Sequence, residues 1–210
     1  MNVQMIGSCR INFPLEILNK EGGIKLVNRW WGFTHYTKEV LQLIKAFSGV
    51  VPDKSIFDLV NWEHLDTKRW LNNTCNREVL DDIDVVVIEL SSIKTFESNG
   101  AYLQINRIVD AFKEFSELFP SWPYFSKDAK DFGEISKYIS DPVKARLLKN
   151  LKIGTTNKKE LGSDLAFIKS YFELFGVKKV IVVTHFSCGP DGEVIPGRRK
   201  VIDDIIDVCR

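Results

Sequence analysis

The stretch Ile83-Asp84-Val85-Val86-Val87-Ile88-Glu89-Leu90 constrains this chain more than any other. A nearly unbroken β-branched run, with acidic residues ahead of it and Ser91-Ser92 behind it, reads as a strand buried on both faces. Such a strand needs neighbours on either side and helices above and below it, which places it at the centre of a parallel sheet. Residues 2–6 and Lys179-Val180-Ile181-Val182-Val183-Thr184 fit the same description.

Helical periodicity fills the intervals. Residues 101–119 carry Leu103, Ile105, Ile108, Val109, Phe112, Phe115 and Leu118 at helical spacing up to Pro120. A second helix holds Val40, Leu41, Leu43, Ile44 and Phe47, with Thr34 or Thr37 as its cap and Gly49 as its stop. A third runs from about Asp164 to Phe175, closed by Gly176, and a fourth spans Arg198 to Val208. Pro14 is expected to open a short helix after the first strand. Strands alternating with helices predict an α/β fold with a mainly parallel central sheet. At 210 residues, one domain is expected, with a loop or helical insertion at 120–160.

Composition narrows the class of partner. The formal net charge is +1, which leaves no broad basic footprint for nucleic acid and favours a small-molecule or glycan substrate. No apolar run approaches the roughly 20 residues needed to span a bilayer, and no signal-peptide pattern stands at the start, so a cytoplasmic location is expected. The four cysteines, Cys9, Cys75, Cys188 and Cys209, show no metal-ligand spacing and are read as reduced thiols.

In a parallel sheet, ligands bind beyond the carboxyl ends of the strands. Directly after three predicted strands stand Gly7-Ser8-Cys9-Arg10, then Glu89 with Ser91 and Ser92, then Thr184-His185. Serine needs a base before it can act as a nucleophile, and His185 is the candidate by position. Backbone N–H groups in the Gly7 to Arg10 turn can hold an oxyanion at the start of a helix. His35 precedes another helix as a second base or substrate donor, while Arg198 and Arg199 open the last helix and can hold an anion. The same residues also fit quieter roles: Ser8 as a helix cap, Cys9 as a packed thiol, His35 packed against aromatic neighbours, His185 bonded to a loop carbonyl. His64 is read as exposed.

The Ile6-Gly7-Ser8-Cys9-Arg10 turn resembles the first block of the SGNH, or GDSL-like, hydrolases, and is most similar to the GSCFA and WcbI-type branch associated with polysaccharide biosynthesis. That resemblance implies a flavodoxin-like three-layer fold, Ser8 as nucleophile, the Ser8 and Cys9 backbone as oxyanion donors, and His185 as base. Ser91 or Ser92 would stand in for the family's asparagine donor. Position 182 is Val where the family's last block has Asp, so the carboxylate that orients His185 would be Glu89 or Asp191.

Three readings follow. The first is an acyl-ester hydrolase or O-acyltransferase acting on a carbohydrate, needing no cofactor, with acetyl-CoA as a possible acyl donor. The second is a binding protein that keeps the crevice without catalysis and grips an anionic ligand or glycan through Arg10, His35, Arg198 and Arg199. The third makes Cys9 the nucleophile, its thiolate favoured by the helix N-terminus.

Overall fold

The computed structural model describes residues 1–27, 34–50, 53, 56–57, 59–60, 80, 82–112, 133–134, 136–185, 192–194 and 197–209. The elements are β1 (Asn2–Ile6), α1 (Cys9–Lys20), β2 (Lys25–Leu26), α2 (Thr37–Phe47), β3 (Val85–Leu90), β4 (Lys94–Ser98), β5 (Ala101–Tyr102) and α3 (Ile105–Phe112). They continue with α4 (Pro142–Lys149), β6 (Lys152–Thr155), α5 (Lys158–Leu174), β7 (Lys179–Thr184) and α6 (Arg198–Cys209).

Four strands form a wholly parallel sheet in the order β2-β1-β3-β7. Val3 stands opposite Val85 and Ile6 opposite Ile88, while Val85 faces Lys179 and Leu90 faces Thr184. All six residues of β3 are buried, as its continuous apolar run demands of a strand covered on both faces. Side chains alternate across the sheet. Val3, Met5, Val85 and Val87 meet Ile11 of α1 on one face. Ile6, Val86, Ile88 and Leu90 join α2, α5 and α6 in the larger cluster on the other. Each fully buried Leu, Ile or Val contributes about 1.5–3 kcal/mol, so this double coverage is what fixes strand order and register.

Other elements depart from expectation in instructive ways. The first helix begins at Cys9, ahead of Pro14, because Ser8 caps it: the Arg10 N–H donates to Ser8 Oγ at 3.3 Å. Pro14 lies inside that helix and leaves the Arg10 carbonyl without the usual i to i−4 partner. Neither Thr34 nor Thr37 caps α2. Glu39 does so from inside, accepting from the N–H groups of His35 at 2.5 Å and Tyr36 at 3.3 Å, whereas Thr37 Oγ1 donates to Asp164 Oδ2 of α5 at 2.7 Å. The helix expected over 101–119 starts only at Ile105, and its tail from 113 to Pro120 lies outside the described residues.

A second sheet, antiparallel in the order β5-β4-β6, was not expected. Its hairpin turns on Asn99-Gly100, both at positive φ (52° and 80°), the backbone that a two-residue turn requires. The first part of the expected insertion at 120–160 lies outside the described residues; its later part holds the 3-10 turn Ser136–Tyr138, α4 and β6.

Candidate active site

β1, β3 and β7 all point the same way, so Ser8, Glu89 and His185 come to one edge of the parallel sheet. Ser8 and Glu89 lie side by side and both are buried. Ser8 gives its backbone N–H to Glu89 Oε2 at 2.9 Å and its hydroxyl proton to the same oxygen at 2.5 Å. Arg10 Nη1 stands 3.7 Å from the other carboxylate oxygen, Oε1. A buried carboxylate needs such partners, and these come from Ser8 and from Arg10 in the first turn of α1.

Gly7 makes this approach possible. A Cβ at position 7 would sit 2.6 Å from Glu89 Cβ and 2.9 Å from Ile11 Cδ1, closer than atoms can pack. Its glycine is a matter of space rather than backbone angle.

His35 closes the site from the α2 side. Its carbonyl accepts the N–H groups of both Ser91 and Ser92 at 2.9 Å, so these two backbone donors are committed to holding the end of β3. Ser92 Oγ accepts from the Lys94 N–H at 2.9 Å. The His35 ring is buried, with Nδ1 3.4 Å from Gln104 Nε2. Gln104 Oε1 already accepts from the Arg107 N–H at 2.8 Å, so its amide nitrogen faces the imidazole and donates. In that contact Nδ1 is the acceptor. Burial lowers the His35 pKa; Glu89 opposes that shift, and Arg10 and His185 reinforce it, which leaves the ring neutral near pH 7.

His185 follows β7 and is half-buried, with Nδ1 2.7 Å from Arg198 Nη1 at the first residue of α6. Burial, and then the charge of Arg10, lower the Arg198 pKa, so the two guanidiniums share one field. A cavity of about 210 Å³ opens between α1 and the ends of β3 and β7. Arg10, Glu89, Thr184 and His185 line its polar side; Ile11, Leu15, Val87 and Val183 line the apolar side.

The structure thus gathers Gly7, Ser8, Arg10, His35, Glu89, Ser91, Ser92, His185 and Arg198 at one edge. Cys9 is described only as the first backbone position of α1, and Asp191, His64 and Cys188 lie outside the described residues. Arg199 is engaged elsewhere, its Nε donating to Asp203 at 3.1 Å on the exposed face of α6. Gln104 was not singled out in the sequence, and no local signal marks it, because its role depends on the fold that brings α3 beside His35.

Residues 1–210 match the TviD N-terminal domain along their whole length. The chain belongs to the TviD N-terminal domain family. It is 28% identical over 215 residues to the Vi polysaccharide biosynthesis protein TviD of Salmonella typhi, an alignment that covers 95% of this chain and 24% of that protein. The chain therefore spans about a quarter of the length of this curated relative. Within this TviD-type domain no described helix is long and apolar enough to cross a membrane.

Proposed function

We propose that this TviD-type domain transfers or removes a small acyl group on a carbohydrate, with Ser8 as the nucleophile. The observation that carries the reading is the Ser8 hydroxyl, held at the first helix N-terminus by the buried carboxylate of Glu89, which itself lines a small cavity together with Arg10 and His185. A hydroxyl in that position has a proton acceptor, a helix N-terminus and donor-bearing side chains within one crevice, the set that acyl transfer requires. The parallel order β2-β1-β3-β7, the serine turn after β1 and the histidine after the last strand support an SGNH-like frame of flavodoxin-like, three-layer type. The relative's printed role in polysaccharide biosynthesis supports a carbohydrate as the acceptor or ester substrate. The acyl donor for transfer would be a thioester such as acetyl-CoA.

A second reading, a binding protein for an anionic ligand, is favoured by Arg10 in the crevice lining and by Arg198 bonded to His185 of the same lining. Hydrolysis of p-nitrophenyl acetate and of acetyl-CoA, measured for the wild type and for folded Ser8→Ala, Cys9→Ala and His185→Ala variants, decides between them. Turnover that disappears in Ser8→Ala and persists in Cys9→Ala is the expected result. Turnover that is absent from the wild type, or unchanged in Ser8→Ala, overturns the enzyme reading in favour of the binder; loss only in Cys9→Ala transfers the nucleophile to the thiol.

A further inference from the structure

We propose that the cavity between α2, the β4–β5 hairpin and α4 is a second ligand site, which holds a carboxylate-bearing stretch of carbohydrate chain between Lys45 and Arg146. This rests on the carbohydrate half of the proposed function and not on the chemistry at Ser8.

The cavity measures about 830 Å³, within the range of roughly 300–1,000 Å³ that ligand clefts occupy. One wall is a face of α2 on which Lys38, Leu41, Gln42 and Lys45 recur at helical spacing. That stripe is about 10 Å long, begins three residues after His35 and runs away from it, so it suits an extended ligand. The facing wall is α4, with Val143 and Arg146. Gln42 ties the hairpin to α2 by donating to the Tyr102 carbonyl at 2.8 Å and accepting its N–H at 2.7 Å. The walls are therefore set before any ligand arrives, which lowers the ordering cost of binding.

Charge then selects the kind of ligand. Three of the described lining residues are basic, Lys38, Lys45 and Arg146, and Asp53 is the one acidic residue among them. Lys38 is neutralised by Asp164 Oδ1 at 2.7 Å. Lys45 and Arg146 make no ion pair and no side-chain hydrogen bond among the described residues. Each stands in the last turn of its helix, where the dipole favours a cation. The dipole does not explain why both line one cavity. Two like charges around a concave space repel each other, and an anion between them relieves that repulsion.

The arrangement fits spaced carboxylates better than a phosphate group. A phosphate site gathers its donors at one point, typically backbone N–H groups at a helix N-terminus. At the start of α4 the N–H groups of Val143 and Lys144 already donate to Asp141 Oδ1 at 2.9 and 3.2 Å, and Lys45 and Arg146 come from separate walls. Between the two cations, Leu41, Val143 and the Tyr102 ring offer apolar surface for the faces of sugar rings.

Titration of the 15N-labelled protein tests the site without reading turnover. The ligands are β-1,4-linked tetramannuronate, mannotetraose, which lacks only its carboxylates, tetraglutamate and coenzyme A. Tetramannuronate is expected to shift the amide signals of Asn99, Gly100 and Val143, and to bind at least about tenfold more tightly than the other three. Lys45→Gln and Arg146→Gln are each expected to weaken it about 5- to 20-fold with melting temperatures unchanged. Lys149→Gln, on the same helix as Arg146 but outside the lining, stays within about twofold. Equal affinity for mannotetraose or tetraglutamate overturns the carboxylate-bearing sugar as ligand, and tighter binding of coenzyme A gives the cavity to a phosphate ligand instead. Shifts confined to Ser8 and His35, or no saturable binding by about 10 mM, overturn the site itself. Protein that binds tetramannuronate in this way but shows no Ser8-dependent turnover loses the acyl chemistry and keeps the site. Protein that turns over esters through Ser8 without this binding loses the site alone.

Discussion

Two of the cavities described in this domain use their polar groups differently. The larger, about 830 Å³, lies between α2, the β4–β5 hairpin and α4, and is lined by Lys38, Gln42, Ser98 and Tyr102 among others. Those groups are spent on the protein itself. Lys38 pairs with Asp164 at 2.7 Å, Gln42 exchanges hydrogen bonds with both backbone groups of Tyr102, and Ser98 donates to the Leu147 carbonyl at 2.6 Å. The smaller cavity, about a quarter of that volume, has Arg10 with its side chain 48% exposed, and its carboxylate holds the hydroxyl proposed to react. On the proposed function, volume alone would rank the two in the wrong order. What separates them is that the polar pairs of the smaller cavity include a carboxylate holding a serine hydroxyl at a helix N-terminus.

The strongest way to break this contrast is kinetic. Ser8→Ala is expected to cost about 10³-fold or more in ester turnover, whereas Ser98→Ala in the larger cavity stays within about twofold per folded molecule. Loss of turnover in Ser98→Ala would move the chemistry to the larger cavity. Next comes Asp164→Ala, which strands Thr37 Oγ1 and the Lys38 ammonium in a buried contact between α2 and α5. A loss of about 3 kcal/mol in urea unfolding is expected, with turnover per folded molecule intact. Gly7→Ala should do the reverse in emphasis: about 1–3 kcal/mol of destabilisation from the clash with Glu89, together with lost turnover, because the Ser8 turn must move away from its acceptor.

The smallest effect is a slope with pH. Burial raises the Glu39 pKa from 4.5 to about 8, against the pull of the N–H groups of His35 and Tyr36. A carboxyl with a raised folded pKa contributes stability that is fully present below about pH 4.5 and is lost as the pH rises towards 8, since the unfolded chain releases its proton first. The neighbouring His35 has the opposite sign: its lowered pKa contributes stability above its ordinary value that is lost as the medium turns acid. Glu39→Gln is therefore expected to raise the melting temperature by a few degrees at pH 8 and to leave it nearly unchanged at pH 5. A larger gain at pH 5 than at pH 8 would contradict the buried, protonated carboxyl.

Sequence reasoning reaches the parallel sheet because β1, β3 and β7 are written as apolar runs that only double coverage explains, and β7 lies within the bounds expected for it. It reaches the site as a set of strand ends for the same reason. It does not reach the antiparallel sheet, whose strand Lys94–Ser98 has Phe96 as its one apolar side chain and passes for loop; the Asn99-Gly100 pair was the legible signal. Ala101 and Tyr102 were absorbed into a helix because Leu103, at the corner leading to α3, continues the helical spacing. The Ser8–Glu89 pair depends on which residue of β3 lies beside the turn after β1. That is a matter of register, and neither strand states its register alone.

Ser8 and Glu89 are 81 positions apart in the chain, yet one proton lies between them. Helices can form from local contacts within microseconds, but this pair cannot meet until two strands so distant along the chain have docked in the correct alignment. Recovery of the Ser8–Glu89 hydrogen bond during refolding would therefore report the arrival of β1 against β3, a clock for the slow, non-local part of folding that helical content would not show.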